Sequence, residues 1–74
     1  MYKVIFGGET FYDGSDKDAA KTIATAFAHA YNVQGWSGAS LKMSVELGAL
    51  GTRSMTGYLG RDAITTVDKF FSSY

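Results

Sequence analysis

Seventy-four residues, 46% of them apolar and 15% aromatic, supply the bulk for one core and too little chain for two, which argues against disorder and a second domain. Seven basic side chains balance seven acidic ones, so the long-range field that draws polyanions is missing, and so is the charge of an acidic DNA mimic. Cysteine is absent and His29 is the only imidazole, so no disulfide or Cys/His metal staple is at hand and stability must come from packing, with Phe6, Phe11, Phe27, Phe70 and Phe71 as the bulk.

Tyr2 to Phe6 is rich in β-formers and predicts a strand. Gly7-Gly8 turns the chain, Thr10-Phe11-Tyr12 pairs back, and Asp13-Gly14 stops the second strand. Ser15 with Asp18 three residues on resembles a capping box with a shortened acid. From there Ala20, Ile23, Ala24, Phe27, Ala30 and Tyr31 form one helical stripe, while Asp18, Lys21, Thr22, Thr25 and His29 lie toward the other side. Asn32 to Ser40 is a connection punctuated by Gly35 and Gly38, with Trp36 in its middle as either a lid over the core edge or an exposed anchor.

Leu41, Met43, Val45 and Leu47 alternate with Lys42, Ser44 and Glu46, the pattern of a half-buried strand. Gly48 and Gly51 bracket a turn. Thr52 to Leu59 forms the partner strand, with Met55 and Leu59 on one parity and Ser54, Thr56 and Tyr58 on the other. Gly60 breaks it, and Arg61 to Tyr74 is a second amphipathic helix with Ile64, Val67, Phe70, Phe71 and Tyr74 inward.

The two halves echo each other. Tyr2-Lys3-Val4-Ile5-Phe6 matches Leu41-Lys42-Met43-Ser44-Val45 in type, and Asp18 to Phe27 matches Asp62 to Phe70 with one residue deleted. The order ββαββα predicts a single α+β domain over residues 1–74: a two-layer sandwich of a four-stranded, mostly antiparallel sheet with both helices on one face and pseudo-twofold symmetry. Phe27 and Phe70 are then expected at equivalent buried places. A first hairpin too short to join would leave three strands.

No chemistry is laid over this plan. Gly35-Trp36-Ser37-Gly38-Ala39 falls one residue short of a Gly-x-Ser-x-Gly nucleophile elbow, and it precedes a strand instead of following one, so it reads as a loop. Asp13, Asp16 and Asp18 crowd a helix start, but the twelfth position counted from Asp13 is Ala24, so a capping role fits and a calcium loop does not. His29 has neither a second imidazole nor a thiol to share a metal with, and no orienting acid for proton transfer. Gly48-Ala49-Leu50-Gly51 and Gly57-Tyr58-Leu59-Gly60 fit Gly-x-x-Gly without the two flanking helices of a KH clamp, and read as turns. The expectation is a protein without cofactor, metal or catalytic set.

What remains is the sheet face away from the helices, expected to present Lys3, Ile5, Lys42, Ser44, Glu46, Ser54, Thr56 and Tyr58, with Thr10 or Tyr12 nearby. It admits three readings: an ordinary solvated face, a protein-contact or dimer surface, and an RRM-like base-stacking platform. Neutral charge places protein contact ahead of single-stranded nucleic acid, with Trp36, Tyr58, Lys42, Lys3 and Tyr12 as candidate contact residues. In length and plainness the chain is similar to small accessory proteins of phages and mobile elements, among them inhibitors of host defence such as anti-CRISPR proteins. The likeness is one of format, and a non-enzymatic inhibitor that occupies a partner's surface is what it implies. No apolar run approaches the roughly 20 residues of a membrane span, and no signal peptide is visible, so a soluble, cytoplasmic protein is expected.

Overall fold

The computed structural model describes residues 1–30 and 32–74. Its elements are β1 (Tyr2–Phe6), β2 (Glu9–Gly14), α1 (Lys17–Ala28), β3 (Ser40–Glu46), β4 (Thr52–Tyr58) and α2 (Arg61–Ser73), with a short 3-10 turn at Gly48–Leu50. The sheet runs β2-β1-β3-β4 and every neighbouring pair is antiparallel. Gly7 and Gly8, at φ 59° and 85°, form the two-residue turn of the first hairpin, where both positions need the left-handed backbone that glycine adopts freely.

Alternation decides the layers. Val4 and Phe6 of β1 and Leu41, Met43 and Val45 of β3 are buried on one sheet face. Ala20, Ala24 and Ala28 of α1 meet them there, as do Ala63, Val67, Phe70 and Phe71 of α2, and the two helices touch each other. Full burial of a side chain such as Phe70 or Leu41 contributes about 1.5–3 kcal/mol. The first hairpin joins the sheet fully, so the sheet has four strands.

The echo between the halves has a structural counterpart. Val4 and Met43 face each other across β1 and β3. When Tyr2–Phe6 is set on Leu41–Val45 these two positions coincide, so a twofold axis normal to the sheet would pass between them. Setting Ala20 on Ala63 likewise sets Ala24 on Val67, Phe27 on Phe70 and Ala28 on Phe71. The symmetry is of topology, not of packing: Phe70 is fully buried, while Phe27 is only half-buried. Phe27 lies in the last turn of α1, stacked on Phe6 at 4.4 Å, and among the described residues the rings of Phe11 at 4.8 Å and Trp36 at 6.0 Å flank it.

Other expectations shift by small amounts. The N-cap of α1 is Asp16, not Ser15: its carboxylate accepts the Ala19 N–H at 3.2 Å, and no capping box forms. The helix ends at Ala28 with His29 as its C-cap, before Ala30; Tyr31 lies outside the described residues. The connection to β3 is then a chain of turns, in which the N–H groups of Ala30, Val33, Trp36 and Ala39 each donate to the carbonyl three residues earlier. Gly57, expected in a turn, is a buried residue inside β4. Phe11, expected in the core, is 45% exposed.

Candidate protein-binding face

The strand registers place the outer face residue by residue. One row runs Asp13, Lys3, Ser44, Ser54 across β2, β1, β3 and β4, and the next runs Thr10, Ile5, Lys42, Thr56. Ser40 opposite Tyr58 and Glu46 opposite Thr52 extend it at the two ends. Directly opposite side chains on such a face stand about 5 Å apart, so Lys3 lies between Asp13 and Ser44, and Lys42 between Ile5 and Thr56. Both helices are on the opposite face, which leaves this one uncovered. Tyr58 is 57% exposed on it, and its N–H donates to the Asp62 carboxylate at 3.3 Å, tying that end of β4 to the first turn of α2.

Of the five residues expected to make contact, Lys3, Lys42 and Tyr58 share this face. Tyr12 does not. Val4 faces Tyr12 while Ile5 faces Thr10, so Phe11 has no partner on β1 and the alternation of β2 breaks there. Tyr12 consequently lies on the Val4 side, half-buried against the core, and its hydroxyl accepts the Asp16 N–H at 3.0 Å. Thr10 takes the place on the open face.

Trp36 also belongs to the helix side. Its ring is half-buried, 5.0 Å from Phe6 and 6.0 Å from Phe27, so it closes the core edge as a lid. Phe11, with its ring 6.4 Å from Phe6 and 4.8 Å from Phe27, completes a partly exposed aromatic cluster at that end. No sequence signal distinguishes Phe11 from a core phenylalanine, because its exposure follows from the break in pairing.

Among the described residues no pocket opens on the surface, and no group of His and carboxylates is placed to hold a metal ion. His29 at the end of α1 and Ser37 in the loop are both exposed. Among the described residues no helix is long and apolar enough to cross a membrane. In comparisons with known proteins, no family model, no curated protein and no solved structure matches this chain.

Proposed function

We propose that this chain is a non-enzymatic protein-binding module, of the kind that acts as an inhibitor or accessory factor in the cytoplasm by occupying a partner's surface. The observation that carries the reading is the open sheet face. Its centre holds Lys3 and Lys42 beside Ile5, hydroxyls surround them, Asp13 and Glu46 stand at the margins, and Tyr58 projects at one end. Two cations beside one apolar side chain, acids at the margins and an exposed tyrosine suit a protein surface of complementary charge. They suit a nucleic acid less well. Base-stacking sheets place two or three bases on aromatic rings, and with Tyr12 on the helix side Tyr58 is the one aromatic among the described residues of this face.

The test is capture of a partner from the native host by the immobilised chain, run beside a Lys42→Ala/Tyr58→Ala variant of unchanged fold. Protein recovered by the parent and lost by the variant, with little change between low and moderate salt, is the expected result. Recovery of nucleic acid whose binding falls steeply over the same salt range would replace the reading.

A further inference from the structure

The two edges of the sheet are guarded unequally. At β2 the unpaired Phe11 interrupts the strand, and Glu9 and Asp13 put carboxylates at the margin, devices that keep an edge from accepting another strand. β4 pairs with β3 from Thr52 to Tyr58 without a register shift and carries no acid. Leu59 donates to the Ala39 carbonyl at 2.9 Å and Leu47 to that of Gly51 at 2.8 Å, so the hydrogen-bonded pairs of this ladder use the odd-numbered residues. By the antiparallel alternation, Thr52, Ser54, Thr56 and Tyr58 turn their N–H and C=O groups to the free edge.

That edge is closed at one end only. The Tyr58 N–H is already taken by Asp62, which leaves Thr52, Ser54 and Thr56 as an exposed row of donors and acceptors. Arg53, the one charged side chain of the strand, turns back onto the Leu50 carbonyl at 2.9 Å. Its 3.4 Å reach to the Thr52 carbonyl leaves that oxygen a second lone pair.

We infer that β4 pairs with β4 of a second copy of this chain, antiparallel and centred on Ser54, joining the two sheets into one. In this register Ser54 faces its own counterpart and Thr52 faces the second copy's Thr56, each exchanging N–H and C=O. The neighbouring registers are worse. Sliding one way brings Tyr58, whose N–H is engaged, opposite Thr52; sliding the other way sets Arg53 against itself, a like-charge contact. With the centred register Arg53 faces Met55 instead. Net charge of zero adds no repulsion between copies. The twofold axis is normal to the joined sheet, so the two open faces lie side by side on one surface. The inference does not depend on what that surface binds.

Sedimentation equilibrium of the intact chain tests it, with Ser54→Lys and Ser54→Pro beside the parent and folding checked by circular dichroism. Ser54→Lys places a charge on the axis against its own copy, at an exposed position the monomer tolerates. Ser54→Pro removes an outward N–H that β3 does not use. A concentration-dependent dimer in the parent, lost in both folded variants, is expected; should the proline variant fail to fold, the lysine variant decides alone. A parent that stays monomeric up to its solubility limit, or a dimer that persists in either folded variant, overturns the inference.

Discussion

Gly57 of β4 and Ala63 of α2 meet backbone to backbone: a Cβ built on Gly57 would stand 2.9 Å from the Ala63 Cα and 3.0 Å from the Thr66 hydroxyl. The close seat of α2 on the sheet depends on this missing side chain. Gly57→Ala should therefore force helix and strand apart, destabilising the fold by about 1–3 kcal/mol through overpacking. Urea unfolding reads this as a lower midpoint at unchanged slope. A midpoint equal to the parent's would mean that α2 is free to shift.

The two halves should respond differently to the same truncation. Phe70→Ala empties a fully buried site and should cost about 3–5 kcal/mol. Phe27→Ala, at the equivalent place, should cost clearly less, because that ring is half-buried and already borders solvent. Thermal melts of the two variants compare them directly; equal losses would restore the equivalence that the sequence echo suggests.

Much of the fold was legible because burial writes itself as period. Leu41, Met43 and Val45 alternate cleanly, and Ala20 with Ala24, and Val67 with Phe70, mark the helical stripes that meet them. Lys3, Lys42 and Tyr58 were placed on one face by the same parity. Tyr12 was not, since one unpaired residue in β2 reverses parity and leaves no trace in composition. The buried stripe of α2 runs Ala63, Val67, Phe70 and Phe71, with Ile64 only half-buried beside it. Gly57 lets the helix seat its small Ala63 against β4, a contact between distant segments that the apolar pattern alone does not mark. The sequence leaves Trp36 open between lid and anchor, because a loop has no period to read.

The cap of α1 separates two neighbouring side chains. Asp16→Ala removes the acceptor of the Ala19 N–H and should cost about 1 kcal/mol. Ser15→Ala, one residue earlier and exposed, should stay within about 0.5 kcal/mol of the parent. Paired chemical denaturation of these variants checks the assignment, and the reverse order would return the cap to Ser15.

Trp36 and Tyr58 should divide stability from binding. Trp36→Ala uncovers Phe6 and Phe27 and should lower the melting temperature. Tyr58→Ala, with its ring more than half exposed, should leave stability within about 0.5 kcal/mol. A Tyr58→Ala protein that melts well below the parent would show that the tyrosine serves the fold, and would remove it from the binding face.

The proposed role of the open face is tested most directly by measuring partner affinity for two folded double variants, Lys42→Ala/Tyr58→Ala and His29→Ala/Ser37→Ala. The first pair lies on the open face, and the second is exposed elsewhere on the molecule. Binding through the open face predicts that affinity collapses in the first variant, with little change when salt is raised, and that the second matches the parent. Full affinity in the first variant, with binding or activity lost only in the second, would contradict the account and point to chemistry at His29 and Ser37.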